Sequence, residues 1–234
     1  MDLQALRAVA SRLGIELAPA QIQALTAFVT DLYATNQTTN LTRVPEGEAD
    51  AMHLADSLLV AEFAKRHARV LDIGAGPGFP AVPLALCRPD LDIIAVEATS
   101  KFATFLSAHC PTNVEVVNGR AEELDGRETV DLVTGRALAP LGIQLELSAA
   151  WCKVGGLVVP FRTPAEREAC ATINIGVLGL RLVALEERQI PGTDVVRLFP
   201  VYEKVRPTPA EYPRPWARIK ARPFSARLPK PGSS

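Results

Sequence analysis

The sequence predicts an α/β protein whose sheet has five parallel strands and a terminal antiparallel hairpin, with helices before the sheet. Strand and helix patterns alternate through the centre of the chain, an apolar strand runs into a glycine turn at residues 69–79, and two β-rich runs follow. Such alternation is typical of a parallel sheet covered on both faces. The 234 residues suffice to bury the core of one such domain.

The N-terminal part is predicted to be helical. Apolar residues recur at helical spacing from Leu3 to Leu13, and a second amphipathic pattern covers about residues 19–33. The polar residues 35–40 predict a turn, and a further helical pattern runs from about residue 48 to residue 64.

The central and final parts supply the sheet. Five apolar runs predict strands at residues 69–73, 91–97, 114–117, 130–134 and 156–161. Two further β-rich runs, residues 180–187 and 195–204, are separated by a short turn that contains Pro191 and Gly192. A turn this short makes the two runs antiparallel neighbours.

The chain is divided here into three parts: an N-terminal helical extension at residues 1–66, an α/β domain at 67–204 and a basic Pro/Arg-rich tail at 205–234. No apolar run approaches the length of a membrane span, and charged residues interrupt the first turn of the chain, so we expect a soluble cytoplasmic protein. The four cysteines form no C-x-x-C pair and no cluster with the three histidines. We therefore expect reduced thiols and no metal site.

The turn at residues 69–79 is the strongest functional signal. Gly74, Gly76 and Gly78 let the backbone approach a ligand where a Cβ would collide, and the next helix points its free N–H groups at the same place. A dinucleotide fingerprint would need glycine where this chain has Phe79. Asp72 inside the strand followed by G-x-G-x-G instead resembles motif I of the S-adenosylmethionine-dependent methyltransferases. A tight turn without a ligand is the alternative for this loop taken alone.

Two acids have expected roles at this turn. Asp72 lies inside a strand and must be paired if it is charged, so we expect it to orient the loop amides or to bind the ammonium group of the donor. Glu97 ends a second buried strand, 23 residues beyond Gly74. Its position suits a carboxylate that accepts both ribose hydroxyls, and an ordinary solvated strand end is the alternative.

The tail carries most of the charge asymmetry. Residues 205–234 hold seven basic residues and one acid, a balance of +6, which leaves −7 on the first 204 residues of a chain with net charge −1. Many prolines make regular helix or strand improbable, and Tyr212, Trp216 and Phe224 are interleaved with the cations. Cations for phosphates and rings for bases indicate an RNA-contacting arm. A tail that wraps the domain, with its rings in surface grooves, explains the composition equally well.

Several segments match one family in order along the chain. They are Asn40-Leu41-Thr42, His53-Leu54-Ala55-Asp56-Ser57, the loop from Asp72 to Pro80, Asn118-Gly119-Arg120-Ala121-Glu122-Glu123, Gly135-Arg136-Ala137 and Tyr212-Pro213-Arg214. These segments resemble the bacterial glucose-inhibited division protein B family, the 16S rRNA guanine-N7 methyltransferases that act on guanine 527. The resemblance covers roughly residues 18 to 228. It implies a Rossmann-like class I S-adenosylmethionine-dependent methyltransferase sheet and 16S rRNA, or the small ribosomal subunit, as partner.

The resemblance also implies site residues. Those for S-adenosylmethionine are Gly74, Phe79, Glu97, Ala98, Thr99, Ala121, Glu122 and Arg136, to which the turn itself adds Asp72, Gly76 and Gly78. Arg136 is expected to hold the target phosphate, to contact the donor or to cap a strand end. The residues expected to contact RNA are Arg136, Arg162, Arg206, Arg214, Arg218, Lys220 and Arg222. The chain departs from the family's pattern at Ala34, Gln37 and Met52, which puts RNA affinity in question.

The expected chemistry needs no catalytic side chain. Guanine N7 has an in-plane lone pair and no proton to lose, so in-line attack on the methyl group needs positioning alone. His53, with Asp56 one turn away, is expected to be a hydrogen-bonded packing residue. Two other functions remain open: a catalytically silent RNA-binding or ribosome-assembly protein, and a small-molecule methyltransferase.

Overall fold

The computed structural model describes residues 2–225. Arg227 and Lys230, two cations of the expected basic tail, lie outside the described residues. The strands are β1 Arg69–Ile73, β2 Asp92–Glu97, β3 Val114–Asn118, β4 Val130–Gly135, β5 Cys152–Pro160, β6 Leu180–Gln189 and β7 Val196–Lys204. They form one sheet in the order β3-β2-β1-β4-β5-β7-β6.

The pairing confirms the predicted fold class. Strands β1 to β5 pair in parallel, and β7 lies antiparallel to both β5 and β6. Strand β5 begins four residues earlier than predicted, because Cys152 pairs with Val130 before a register shift between Val130 and Leu132. The carboxyl ends of β1, β2, β3 and β4 therefore meet at one edge of the sheet, where a ligand cavity is expected in such folds.

Helices cover both faces. They are α1 Gln4–Arg12, α2 Pro19–Thr39, α3 Asp56–Leu58, α4 Ala81–Cys87, α5 Ser100–His109, α6 Leu141–Ala149, α7 Arg167–Thr172 and α8 Trp216–Ala221. Neighbouring strand residues point to opposite faces. Val70 and Ile93 thus pack with the N-terminal helices and α4, whereas Leu71 and Ile94 pack with α6 and the C-terminal residues. None of the helices built from residues 2–225 has the length and apolarity needed to cross a membrane.

Two N-terminal predictions were wrong in detail. The polar residues 35–40 do not begin with a turn, since α2 continues to Thr39 and ends at Asn40, which adopts a left-handed conformation with φ 47°. The Asn36 side chain accepts hydrogen bonds from the backbone N–H groups of Leu41 and Thr42, at 2.6 and 2.9 Å, and so fixes the chain as it leaves the helix. The expected single helix at 48–64 is a succession of short 3₁₀, π and α turns.

The expectation that the tail lacks regular structure was also wrong. Helix α8 forms at Trp216–Ala221, with Pro215 as its N-cap residue. The nearest prolines, Pro215 and Pro223, flank the helix and do not interrupt it. Proline breaks a helix only from its interior, so a proline-rich composition is compatible with a short helix between prolines.

Candidate active site

A cavity of about 430 Å³ opens at the carboxyl ends of β1 to β4. Its lining includes eight of the residues expected to bind the donor: Gly74, Gly76, Glu97, Ala98, Thr99, Ala121, Glu122 and Arg136. They follow four different strands, and parallel pairing brings these strand ends together. A hollow of about 500 Å³ beside α1 is lined by none of the expected site residues. The smaller cavity is therefore the candidate site, because sheet topology and residue chemistry coincide there.

The loop after β1 presents bare backbone to this cavity. Gly76 has φ 56°, and a Cβ built on it would meet no atom of residues 2–225 within 4 Å. Because Gly76 lines the cavity, that side chain would project into its open space. Gly74 has φ 72°, and a Cβ there would collide with the side chain of Leu138. Both positions thus favour glycine through their positive φ, and at Gly76 the absence of a side chain also keeps the cavity open.

Glu97 connects the loop after β1 to the loop after β2. Its Oε2 accepts a hydrogen bond from the Gly76 N–H at 2.9 Å, and its Oε1 accepts one from the Thr99 N–H at 2.6 Å. Glu97 is only 7% exposed and lines the cavity. A carboxylate has about four acceptor sites, so these two bonds leave capacity for ligand hydroxyls.

Three residues expected at the donor lie behind the lining. Asp72 is buried in β1, where its Oδ2 accepts a hydrogen bond from the Ala81 N–H at 3.1 Å. Its Oδ1 has no hydrogen-bond partner in the described part of the chain. Burial, with a smaller contribution from Glu97, raises the pKa of Asp72 to about 7. Gly78 and Phe79 are packed into the core rather than exposed at the cavity.

Arg136 lies at the end of the cavity near β4 and is held by residues of the segment before β1. Its Nη1 donates to the carbonyl oxygen of Met52 at 2.8 Å and to Asp56 at 3.0 Å, and its Nη2 lies 3.2 Å from His53 Nδ1. The guanidinium carbon is 5.2 Å from the centroid of the Phe79 ring. These contacts fix the orientation of Arg136, which was expected at the site but without these partners.

The buried carboxylate of Asp56 joins Arg136 to a second arginine. Arg197 of β7 donates to both Asp56 oxygens, at 2.8 and 2.9 Å. His53 is buried as expected and forms hydrogen bonds, and its ring stacks on Phe79 with centroids 4.1 Å apart. Burial, assisted by the charge of Arg136, lowers the pKa of His53 to about 3. The neutral ring can accept from Arg136 through Nδ1 and donate to Thr42 Oγ1, 2.9 Å from Nε2.

A second cavity of about 400 Å³ adjoins the first, and both are lined by Arg136 and Ala137. Arg162 and Arg197 also line the second cavity. Arg162 donates to the carbonyl oxygen of Ala139 at 3.0 Å and bonds the Gln144 side chain, whereas its buried Nε lacks a partner among residues 2–225. The second cavity is therefore rich in arginine. The sequence indicated Arg162 but gave no signal for Arg197.

The tail cations do not form one group. Arg214 donates through its Nε and Nη2 to Glu146 of α6, at 2.8 and 2.6 Å. Arg206 donates to the carbonyl oxygen of Gly176 at 2.6 Å but remains exposed. Exposed positions are also occupied by Arg218, Lys220 and Arg222. Trp216, which the sequence indicated only as one ring of the tail, lines the first cavity, which is called the donor cavity below after the ligand expected there.

Comparisons with known proteins show what this chain is similar to. The sequence model of the GidB family, described as rRNA small subunit methyltransferase G, matches residues 21–184. A curated relative, ribosomal RNA small subunit methyltransferase G of Lactobacillus delbrueckii subsp. bulgaricus, is 34% identical over 87% of this chain and 92% of its own. The protein of the same name from Roseiflexus castenholzii is 35% identical over 88% and 93%.

Solved structures are similar in fold. M. jannaschii TYW2 in complex with AdoMet superimposes with a TM-score of 0.55 at 17% identity, over 70% of this chain and 79% of the other. A TehB-like SAM-dependent methyltransferase from Corynebacterium glutamicum gives a TM-score of 0.52 at 17% identity, over 75% and 98%. At such identities the likeness is one of fold.

Proposed function

The chain belongs to the GidB family, rRNA small subunit methyltransferase G, and we propose that it transfers the methyl group of S-adenosylmethionine to N7 of guanine 527 of 16S rRNA. The names of its relatives support the coarser part of this statement, an S-adenosylmethionine-dependent rRNA methyltransferase. The position and atom methylated come from the family resemblance. A reaction on ribosomal RNA also assigns the protein to the cytoplasm.

The observation that carries the proposal is the junction of two cavities of different chemistry at Arg136. The first contains the largely buried carboxylates of Glu97 and Glu122, which suit the ribose hydroxyls and the exocyclic amino group in the adenosine part of the donor. The second contains Arg162 and Arg197, which suit the phosphate and the acceptor-rich edge of a guanine nucleotide. A nucleotide in the second cavity would thus meet a donor in the first.

The residues of the first cavity fit S-adenosylmethionine. Gly76 leaves room that any Cβ would fill, and Glu97 keeps free acceptor sites for ribose hydroxyls. Glu122 Oε1 is buried and lies 3.6 Å from Arg120 Nη1, but it accepts no hydrogen bond from the described residues, so it can accept one from the adenine amino group of the ligand. We assign contacts with the donor to the cavity-lining residues Gly74, Gly76, Glu97, Ala98, Thr99, Ala121, Glu122 and Arg136.

Asp72, Gly78 and Phe79 are proposed to act indirectly. Asp72 fixes the start of α4 through the Ala81 N–H, Gly78 lets the loop pack on Val82, and Phe79 supports the Arg136 guanidinium. The unpaired Oδ1 of Asp72 is the one feature that still favours direct contact with the donor's ammonium group.

The chemistry supplied by bound S-adenosylmethionine is an electrophilic methyl group. Guanine N7 needs no general base, so this chain's residues contribute position and electrostatics. Arg136 is rigid because Asp56 and the Met52 carbonyl hold one of its nitrogens and His53 faces the other. It can therefore orient the nucleotide at the boundary between the two cavities. His53 serves as a neutral support for Arg136, not as a base.

The cations outside the cavities are proposed to bind rRNA phosphates. Arg206, Arg218, Lys220 and Arg222 are exposed, although Arg206 also donates to the Gly176 carbonyl oxygen and Lys220 lies over the Trp216 ring. Arg162 lines the second cavity, where Glu166 lies 3.5 Å from it. Arg214 is the member of the expected RNA-binding set that has a different proposed role, because the fully buried Glu146 binds it and it lines neither cavity. It anchors the tail.

The test is transfer of labelled methyl from S-adenosylmethionine to deproteinised 16S rRNA and, in parallel, to intact small subunits from cells lacking this methylation. We expect label at N7 of guanine 527 in at least one substrate, mapped by chemical cleavage at 7-methylguanine. The matched control is Gly76→Val, which should bind RNA but transfer nothing. Label on another base would correct the target, and label only on small metabolites would favour a small-molecule methyltransferase.

Absence of transfer needs a second measurement. If the protein binds 16S rRNA but neither S-adenosylmethionine nor its demethylated product in calorimetry, it is a catalytically silent RNA-binding or assembly protein. If it binds the donor and both RNA preparations without transfer, the proposed acceptor is wrong.

A further inference from the structure

The described C-terminal segment, residues 205–225, is fastened to the α/β domain over its whole length. Arg127, in the loop between β3 and β4, donates to the carbonyl oxygens of Thr208 and Tyr212, both at 2.6 Å. Further along, Ile219 of α8 is fully buried. The close approach of the Phe224 backbone to α6 is possible only because residue 142 is glycine. This part of the tail is docked and is not a free arm.

The strongest fastening is an ion pair with a buried carboxylate. Glu146 of α6 is 0% exposed, and Arg214 binds it through its backbone N–H, Nε and Nη2. Among residues 2–225, Arg214 supplies every hydrogen bond that the Glu146 carboxylate accepts. If the segment left the domain, a charge would remain buried without a partner, which is costly. Glu146 therefore holds the segment in its docked position.

Docking brings Trp216 to the donor cavity. Trp216 lines it together with Ala121 and Leu147, and two cations lie over its ring: the Arg120 guanidinium carbon is 5.2 Å and Lys220 Nζ 5.8 Å from the ring centroid. Arg120 and Ala121 follow β3, whereas Arg136 follows β4. The sheet order puts β3 and β4 three strand spacings apart, about 14 Å. Trp216 and Arg136 thus mark opposite ends of the cavity.

The position of Glu97 decides which end of the donor meets Trp216. Glu97 is the last residue of β2, which lies between β3 and β4 in the sheet. If it holds the ribose hydroxyls, the reacting sulfonium lies toward Arg136, because the acceptor cavity opens there. The adenine base then lies on the β3 side, next to Trp216. An indole and a purine are both flat aromatic surfaces, and their stacking is favourable.

We infer that Trp216 forms one wall of the adenine site, and that docking of the C-terminal segment and binding of the donor stabilise each other. The inference rests on the proposed function in one respect, that the ligand is S-adenosylmethionine. The coupling is reciprocal by thermodynamic necessity. An RNA contact that moves α8 would accordingly change the affinity for the donor. Binding of RNA and binding of the donor would then be coupled through this segment.

The first test measures binding of S-adenosylhomocysteine, the demethylated product, by calorimetry. We expect Trp216→Ala to weaken binding roughly 5- to 150-fold, the range for loss of one base stack, and Trp216→Phe to stay within about threefold of the unaltered protein. The matched control is Glu211→Ala, which removes an exposed side chain of the same segment and should change nothing. Thermal melting of each variant without ligand verifies that it is folded.

The second test identifies the part of the ligand that is contacted. 5′-Methylthioadenosine keeps the adenosine moiety and lacks the amino acid moiety. Trp216→Ala should therefore weaken the binding of 5′-methylthioadenosine and of S-adenosylhomocysteine by the same factor. Tryptophan fluorescence gives an independent readout, since the chain has two tryptophans. Quenching by either ligand should disappear in Trp216→Phe.

The third test concerns the coupling. The double variant Glu146→Gln/Arg214→Gln removes both charges of the fastening and leaves no buried ion unpaired. We expect it to lose at least fivefold in affinity for S-adenosylhomocysteine, and the loss should not add to that of Trp216→Ala.

Three results would overturn the inference. One is a Trp216→Ala affinity within twofold of the unaltered protein. Another is weaker RNA binding by Trp216→Ala with ligand affinity unchanged, which would make Trp216 an RNA-stacking residue. The third is full additivity of the Trp216→Ala and Glu146→Gln/Arg214→Gln losses. If the unaltered protein binds neither nucleoside ligand, the proposed function itself fails, and the two failures are therefore distinguishable.

Discussion

The donor cavity and the arginine-lined cavity are neighbours at one edge of the sheet, yet they are built differently. In the donor cavity, backbone N–H groups hold the carboxylates: Gly76 and Thr99 bind Glu97, 21 and 2 residues away in sequence. In the arginine-lined cavity, the arginine side chains are held by a side chain that is much farther away in the sequence. Asp56 binds Arg136 and Arg197, which are 80 and 141 residues away.

The difference fits the two proposed ligands. A small donor that carries ribose hydroxyls is suited by a bare backbone loop and a few carboxylates, and such an arrangement is compact in sequence. A flexible anionic RNA strand is suited by several arginines held in place, and buried arginines need counter-charges from elsewhere in the fold. A single substitution in the loop after β1 should therefore be enough to abolish donor binding. RNA binding should instead be weakened by loss of Asp56, which holds both Arg136 and Arg197.

The largest expected effect is at the donor loop. Gly76→Val should weaken S-adenosylhomocysteine binding by more than about 100-fold, because the new side chain occupies the open face that the ligand needs. Gly192→Val is the matched control. Gly192 also has positive φ, 77°, with no atom of residues 2–225 within 4 Å of a built Cβ, but it lies in the β6–β7 turn. The control should suffer the same backbone strain and keep its ligand affinity in calorimetry. Equal affinity in both variants would mean that the donor lies elsewhere.

The next largest effect is expected at the anchor of the arginine side. Asp56→Asn should lower the free energy of unfolding by about 2 to 4 kcal/mol, somewhat less than a fully buried pair because Arg136 and Arg197 are 17% and 19% exposed. Urea denaturation measures this. Affinity for S-adenosylhomocysteine should fall no more than about threefold, whereas affinity for RNA should fall further. If Asp56→Asn lowered only the affinity for S-adenosylhomocysteine, separate cavities for donor and RNA would be contradicted.

Glu97 tests the donor side at a single carboxylate. Glu97→Ala should weaken S-adenosylhomocysteine binding by roughly 1.5 to 3 kcal/mol, the range for hydrogen bonds to a charged group. Glu97→Gln keeps one acceptor oxygen and should lose less. A calorimetric loss below about 0.3 kcal/mol in Glu97→Ala would show that this carboxylate does not hold the ligand.

Asp72, on the donor side, should make the free energy of unfolding depend on pH. Its folded pKa of about 7, raised mainly by burial, lies above the ordinary value. The folded state therefore binds more protons between pH 4 and pH 7, and the free energy of unfolding falls as pH rises through this range, by up to about 1.4 kcal/mol per pH unit. Asp72→Asn should lack this contribution. The measurement is the difference between the two proteins in urea denaturation at pH 5 and pH 8, and a constant difference would contradict it.

The smallest effect concerns the exposed cations of the tail. If Arg218, Lys220 and Arg222 bind rRNA phosphates, replacing each by Gln should make the slope of log affinity against log salt shallower by about 0.7 to 0.9. Ligand affinity should stay unchanged in the Arg218 and Arg222 variants, provided that α8 remains docked, whereas Lys220 Nζ lies 5.8 Å from the centroid of the Trp216 ring and its loss can also affect the ligand. Filter binding at several salt concentrations measures the slope. An unaltered slope with a lower melting temperature would restrict the tail to a structural role.

Much of the fold could be predicted because its signals are local. The five parallel strands, the hairpin and the glycine turn each occupy a short stretch in which apolar pattern and turn residues agree. Predictions failed where the local composition was compatible with two different backbone conformations. Polar residues 35–39 extend α2, since an exposed helical turn tolerates polar side chains, and the prolines around residues 216–221 permit a helix between them.

The site divides in the same way. Gly74, Gly76 and Glu97 could be predicted from the sequence because strand ends in a parallel sheet meet by topology alone, and the structure brings these residues into one cavity. Arg197 and Trp216 could not be predicted as site residues. Nothing near Arg197 in the sequence distinguishes it from an ordinary strand arginine, and its role appears only beside Asp56.

The sequence by itself thus determined the fold class, the position of the donor loop and the acid that ends β2. Only the tertiary structure decided that Asp56 fastens two distant arginines, and that Trp216 of the tail lies at the donor cavity rather than on a free arm. The physical reason is the range of the interactions. Hydrophobic periodicity and glycine conformation depend on neighbouring residues, whereas a buried charge is satisfied by whichever partner the folded chain brings within a few ångströms.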